Sequence, residues 1–164
     1  MGKLIVVEQD PVKGTDKHMV AGNATNPAAP PPTVPYSGVG DFDYDGKMTD
    51  GLSDFVKIGG KPVALKNSKS SLNPGESAPP SGKHSGPLGK NFTPPTPVPI
   101  ASTLSITDSV GTGTPSASSG SAFLQIGGTA VLLDGDKIDT CDGMGIPMNS
   151  TVTASGQAFV SCSG

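Results

Sequence analysis

Apolar residues alternate with polar ones and then meet a glycine turn at three places along this chain. The copies are Val56-Lys57-Ile58-Gly59-Gly60-Lys61-Pro62-Val63-Ala64, Leu124-Gln125-Ile126-Gly127-Gly128-Thr129-Ala130-Val131-Leu132 and Val152-Thr153-Ala154-Ser155-Gly156-Gln157-Ala158-Phe159-Val160. Alternation of period two is the mark of a strand with one buried face. Glycine supplies the positive φ of a primed two-residue turn without a Cβ clash. Each copy therefore predicts a β-hairpin, and three such hairpins predict a body with pseudo-three-fold symmetry. The spacing is uneven: from Gly60 to Gly128 is 68 residues, and from Gly128 to Gly156 is 28. A solenoid keeps a steadier period, whereas hairpins set around an axis tolerate inserts between them.

Between the copies the pattern weakens. Lys3–Val7 reads as an opening strand, and Val12–Ala21 as a short strand pair. Asn26–Pro35, with three consecutive prolines at its centre, reads as extended and polyproline-like. Asp41–Asp50 reads as an acidic loop, Lys66–Thr96 as a long irregular stretch, Val98–Ile106 as a strand and Thr107–Ser121 as a further loop. No long window repeats apolar residues with helical spacing, and only Asp50–Val56 could make one short turn. The fold class expected is all-β: a short conical hairpin body with long Pro/Gly/Ser-rich loops.

Composition sharpens this picture. The 164 residues suit one domain, 1–164, and 23 Gly with 17 Pro leave 34% apolar and 4% aromatic residues. So few large side chains favour a slender object held by backbone ladders. Such an object has a poor surface-to-volume ratio and gains from a metal staple or a partner. The net charge is −3 and Arg is absent. Without Arg or a basic cluster, nucleic-acid binding is not expected. No stretch approaches the roughly 20 apolar residues needed to span a bilayer. Met1–Val7 is too short for a signal peptide, so a soluble chain made in the cytoplasm is expected.

His18, His84, Cys141 and Cys162 are all the His and Cys of the chain. Together they would make one tetrahedral Cys2His2 set of the structural zinc type. His18 and Cys141 each follow a turn containing Gly and Asp, and His84 lies between Gly82 and Gly86. The alternatives left open are solvated loop histidines, a frayed C-terminal cysteine, or a disulfide, which a reducing compartment disfavours. Asp41-Phe42-Asp43-Tyr44-Asp45-Gly46 matches the opening of a calcium loop, but Leu52 stands where the bidentate Glu belongs. No nucleophile elbow and no dinucleotide fingerprint is present.

These pieces resemble the PAAR-repeat family, the conical spike tips of contractile injection machines such as type VI secretion systems, phage-tail-like particles and contractile phages. Gly59-Gly60-Lys61-Pro62-Val63-Ala64-Leu65 is similar to the family's Gly-Lys-Pro-Ala-Ala-Arg segment, with Leu65 in place of Arg. Gly135-Asp136 ahead of Cys141, and Asp16 ahead of His18, resemble its Gly-Asp elements with metal ligands downstream. The resemblance implies a structural tip, not an enzyme, stiffened by one structural zinc ion. It also implies docking, one copy per trimer, on the blunt end of a trimeric β-helical spike protein of the valine-glycine-repeat kind. The surface for that partner is expected at Val56, Ile58, Val63, Leu124, Ile126, Val131, Val152 and Phe159. The tip would sharpen the spike for membrane puncture and meet the target membrane transiently. Any effector cargo is a separate chain, and firing carries the assembled tip outside or into the target cell. Two other classes are kept beside this one. The first is a small metal-dependent hydrolase using His18, His84 and one Cys. The second is a secreted adhesive or calcium-binding β-protein using Asp41, Asp43 and Asp45.

Overall fold

Strand alternation runs further through the chain than the glycine-bounded repeats suggest. The computed structural model describes residues 2–26, 28, 33–73, 89–108, 111–141 and 150–162, and among them there is no α-helix. The strands are β1 (Lys3–Leu4), β2 (Pro11–Thr25), β3 (Thr33–Asp50), β4 (Lys57–Ile58), β5 (Lys61–Pro62), β6 (Lys69–Leu72), β7 (Lys90–Thr93) and β8 (Val98–Pro99). After a 3₁₀ turn at Ala101–Thr103 come β9 (Ser105–Ile106), β10 (Thr112–Pro115), β11 (Gln125–Ile126), β12 (Thr129–Ala130), β13 (Lys137–Thr140), β14 (Ser150–Val152) and β15 (Ser161–Cys162). The architecture is all-β: one large antiparallel sheet with small hairpins beside it.

The largest departure from expectation is the long hairpin of β2 and β3. It keeps one register through fifteen pairs, from Pro11↔Lys47 to Thr25↔Thr33. Asp41–Asp50 is therefore a strand and not an acidic loop. Gly40, Phe42, Tyr44, Gly46 and Met48 turn inward at alternate positions, and the aspartates between them turn out. Two buried aromatics two residues apart outweigh the low strand propensity of Asp, because burying one such ring contributes about 1.5–3 kcal/mol. Val12–Ala21 is correspondingly part of one long strand and not a short pair. Thr33–Pro35, expected to be polyproline-like, opens β3, and the expected strand Val98–Ile106 is broken by the 3₁₀ turn. The expected loops contain β6, β7 and β10, whose Ser, Thr and Gly residues carry no apolar alternation to read.

The sheet closes on itself. Its order is β3-β6-β10-β13-β14-β2, and β2 pairs again with β3, so these six strands have no free edge among themselves. β7 adds to β3, while β8 and β9 add to β2.

Beside this ring, three apolar segments bind one another in a cycle. Val6 N–H donates to Leu132 O, Leu132 N–H to Ala64 O, and Ala64 N–H to Val6 O, at 2.9–3.0 Å. Their neighbours complete the cycle through the bridges Ile5↔Leu133, Val7↔Val63 and Leu65↔Val131. A second cycle runs Glu8 N–H to Pro62 O, Lys66 N–H to Ala130 O and Asp134 N–H to Leu4 O. Each segment then turns back over a side-chain acceptor three residues on. Val7 N–H donates to Asp10 Oδ2, Leu65 N–H to Ser68 Oγ and Leu133 N–H to Asp136 Oδ2. Ile5, Val7, Ile58, Val63, Leu65, Val131 and Leu133 form one buried cluster, and Val6, Ala64 and Leu132 enter the next.

Two of the three expected hairpins form: β4–β5 about Gly59-Gly60 and β11–β12 about Gly127-Gly128. All four of those glycines have positive φ, as a primed turn requires. The third, over Val152–Val160, does not form. Thr153–Val160 contains no strand, and the Gly156 N–H donates to Asp10 Oδ1 at 2.6 Å. A Cβ on Gly156 would lie 2.6 Å from Val7 Cγ2, so this glycine serves close approach and not a hairpin turn. The third equivalent is instead assembled from the two chain ends. β15 pairs with β1 in the register Lys3↔Cys162 and Leu4↔Ser161, matching Lys61↔Ile58 and Thr129↔Ile126. Gln157 ties the ends together: its Nε2 donates to Ile5 O and Val160 O, and its Oε1 accepts from Phe159 N–H and Val160 N–H.

Candidate metal centre

Along β2 the apolar cluster around Val12 gives way to two ionisable residues before apolar packing resumes at Val20. These are Asp16 and His18, two residues apart and therefore on one face of the strand. Both are 0% exposed. Cys141 reaches them from the end of β13. It has φ 48°, and its N–H donates to Thr112 O. One donor atom from each of Asp16, His18 and Cys141 lies within 4.8 Å of the others, and Cys141 is 2% exposed.

Neighbouring groups fix the donors. Asp108 Oδ1 lies 2.9 Å from His18 Nδ1, and Asp108 Oδ2 accepts from the Met19 N–H. With Nδ1 directed at a carboxylate, ligation by His18 would use Nε2, an arrangement that fixes ring orientation in many metal sites. The ring also meets Phe42 edge-to-face, with centroids 5.5 Å apart. The Thr140 hydroxyl donates to Asp16 Oδ1 and lies 2.7 Å from Ser150 Oγ, so Asp16 is oriented from β13 and β14. A tetrahedral ion with bonds of about 2.0–2.3 Å spaces its donors about 3.3–3.8 Å apart, so small movements would bring all three into ligation. The donor set of carboxylate, imidazole and thiol fits a divalent transition metal, and these three residues could hold one.

Of the four ligands expected from sequence, the structure brings together His18 and Cys141. Cys162 stands elsewhere, in β15 against the cluster of Ile5 and Val63, with Sγ 3.5 Å from Ser121 Oγ. No disulfide involves either cysteine. His84 lies outside the described residues. Asp16 stands in the expected Gly-Asp element ahead of His18 but not in the expected ligand set, and Asp108 belongs to neither. Asp16 had a signal, since it alternates with His18 in a strand. Asp108 had none, because it comes from a connection distant in sequence.

The expected partner surface falls into three groups. Ile58, Val63, Val131 and Val152 are buried in the chain's own core, Val56, Leu124 and Ile126 are half-buried, and Phe159 is exposed. The four buried residues lie in the chain's own core, where the cyclic segments and the closed sheet pack on them.

The three aspartates of the calcium-like segment lie in β3, and each meets a lysine. Lys17 Nζ is 2.8 Å from Asp41, Lys90 Nζ 2.9 Å from Asp43, and Lys13 Nζ 3.4 Å from Asp45. Burial works to raise the Asp41 carboxyl. Hydrogen bonds from Lys17 and Asn91, with the charges of Lys17 and Lys90, outweigh it and hold the group below its usual range. A carboxyl with a depressed folded pKa stabilises fully above its unfolded pKa, near 4, and that contribution is lost as pH falls through the folded pKa. Replacing Lys17 with Met is therefore expected to move the Asp41 titration upward and to make acid unfolding begin at higher pH. Carbon-detected NMR of the carboxyl reads the shift, and an unmoved titration contradicts the assignment.

Compared with family models, curated proteins and solved structures, the chain matches none. No described helix is long and apolar enough to cross a membrane.

Proposed function

We propose that this chain is the structural tip of the central spike of a contractile injection apparatus, seated as one copy on the end of a trimeric β-helical protein. The observation that carries the reading is the cycle of Val6, Ala64 and Leu132. One polypeptide contributes three segments with equivalent hydrogen bonds, and so acquires pseudo-three-fold symmetry from a single chain. The matching β1–β15, β4–β5 and β11–β12 pairs give it three similar sides. A trimeric β-helix ends in exposed strand edges that invite further pairing unless covered. A monomer with three near-equivalent sides covers all three at once, and strand addition supplies backbone hydrogen bonds with little demand on side-chain identity.

The buried group of Asp16, His18 and Cys141 takes a stiffening role in this reading. Zinc suits its mixed donors, and His84 is the candidate for a fourth ligand. A hydrolase would have to bring substrate to groups that are 0–2% exposed, which favours a structural metal over a catalytic one. The lysine partners of Asp41, Asp43 and Asp45 likewise disfavour a calcium site there, since each carboxylate already has a cation beside it. In this reading the tip is assembled into the injection particle.

Light scattering during gel filtration, on the chain mixed with a trimeric spike protein of the valine-glycine-repeat type, tests the reading. One copy per trimer is expected. Three copies per trimer, or no complex, would contradict it.

A further inference from the structure

Three phenylalanines occupy the same place in the three equivalent units, and all three are largely exposed. Phe55, Phe123 and Phe159 are 73%, 75% and 72% exposed. Each stands two residues before a short strand, β4, β11 or β15, in the local sequences Phe55-Val56-Lys57-Ile58, Phe123-Leu124-Gln125-Ile126 and Phe159-Val160-Ser161-Cys162. In each unit the residue after the Phe turns back to the core. Val56 O, Leu124 O and Val160 O accept from Val63 N–H, Val131 N–H and Ile5 N–H, at 3.1–3.2 Å. The backbone ahead of each Phe is held equivalently too. Ser53 Oγ accepts from Val56 N–H, Ser121 Oγ from Leu124 N–H and Gln157 Oε1 from Val160 N–H. The three rings are thus set on rigid, matching backbone. A Cβ built on Gly59 would come 3.9 Å from Phe159 Cζ, which places that ring beside the turn of the next hairpin.

A single exposed Phe is ordinary, but three at equivalent positions in a chain with 4% aromatic residues are not explained by the core. Large exposed aromatics on preorganised backbone lose little entropy when they seat in a pocket, which is why they dominate binding energy in many interfaces. Symmetry selects among occupants. Three exposed anchors at equivalent positions of one chain match a partner that repeats one socket three times about an axis.

We infer that Phe55, Phe123 and Phe159 are three equivalent anchors that fill three identical apolar sockets on the end of a three-fold symmetric protein. This rests on the spike-tip reading; Phe159 is already part of the expected surface, and Phe55 and Phe123 are its equivalents in the other two units. Because the sockets of a homotrimer are identical, the three anchors contribute comparably.

The experiment measures affinity for the same trimeric spike protein with the unsubstituted chain, with Phe55→Ala, Phe123→Ala and Phe159→Ala singly, and with the triple variant. Each single change is expected to weaken binding by about 30-fold, the effect of losing one hot-spot residue, and the triple change to abolish it. Thermal midpoints should be unchanged throughout, since the rings lie largely outside the core. If the triple variant binds as the unsubstituted chain does, the anchors are wrong while the spike-tip reading stands. A loss confined to one of the three would overturn the equivalence. If the isolated chain is a dimer that the triple change converts to a monomer, the occupant is a second copy and the inference is overturned. Failure of the unsubstituted chain to bind the trimer removes both the reading and the anchors.

Discussion

Replacing His18 with Ala, or Cys141 with Ser, is expected to leave the purified chain almost without metal, where the unsubstituted chain carries about one ion. The reasoning starts from burial. Asp16, His18 and Cys141 come from two strands that only the closed sheet brings together, so an ion bound there is bound by the folded state alone. At a free-metal level of 100 times Kd, such linkage contributes about 2.7 kcal/mol. For a chain of this size that corresponds to about 5–10 °C in Tm. Chelator should therefore lower Tm of the unsubstituted chain by that amount. It should have no further effect on either variant, which separates the lost metal from the lost packing of the His18 ring on Phe42. Elemental analysis with thermal melts, with and without chelator, checks both parts. His84→Ala in the same series reports whether that residue completes the shell. Equal metal content in all the chains would remove the centre.

Asp10→Ala is expected to destabilise the fold by about 3–5 kcal/mol, more than any other polar substitution near the cyclic segments. Asp10 is 0% exposed and accepts from three backbone N–H groups: Val7 on Oδ2, and Ser155 and Gly156 on Oδ1. Removing the carboxylate leaves the buried Val7 donor and the part-buried donors of Ser155 and Gly156 without this acceptor, and a buried donor without an acceptor costs about 1–3 kcal/mol. It also unties the C-terminal segment from the N-terminal one, where the third unit is assembled. The equivalent positions make a graded series. Asp136 Oδ2 accepts from two backbone N–H groups, those of Gly120 and Leu133. Ser68 Oγ accepts from one, that of Leu65. The order of destabilisation should be Asp10→Ala, then Asp136→Ala, then Ser68→Ala, read from urea unfolding. A flat series would mean that these turns do not hold the cycle together.

How much of this was legible in the sequence depended on what each element had to offer. The β4–β5 and β11–β12 hairpins were plain, because Gly-Gly between alternating apolar residues has few other solutions. The third unit was misplaced onto Val152–Val160, since alternation around Gly156 imitates the pattern locally. The better match was present but divided. Gln157-Ala158-Phe159-Val160-Ser161-Cys162 repeats the lead-in of the other two units, and Lys3-Leu4-Ile5-Val6-Val7 repeats their return. A linear scan for hairpins does not join a chain's last residues to its first. Asp41–Asp50 was misread because alternate aspartates imitate a calcium loop, whereas the residues between them, Phe42 and Tyr44, decide the conformation by being buried. Of the metal centre, His18 and Cys141 could be found by their scarcity. Asp16 was obscured by the many carboxylates of the chain, and Asp108 depends on a tertiary contact.

A single-particle electron cryomicroscopy map of the chain bound to a trimeric spike protein most directly tests the placement of this molecule at the end of an injection spike. The expected map shows one copy on the blunt end, with Phe55, Phe123 and Phe159 toward the trimer and Asp16, His18 and Cys141 on the side away from it. A copy lying along the shaft, or one turned so that His18 and Cys141 face the trimer, would contradict it.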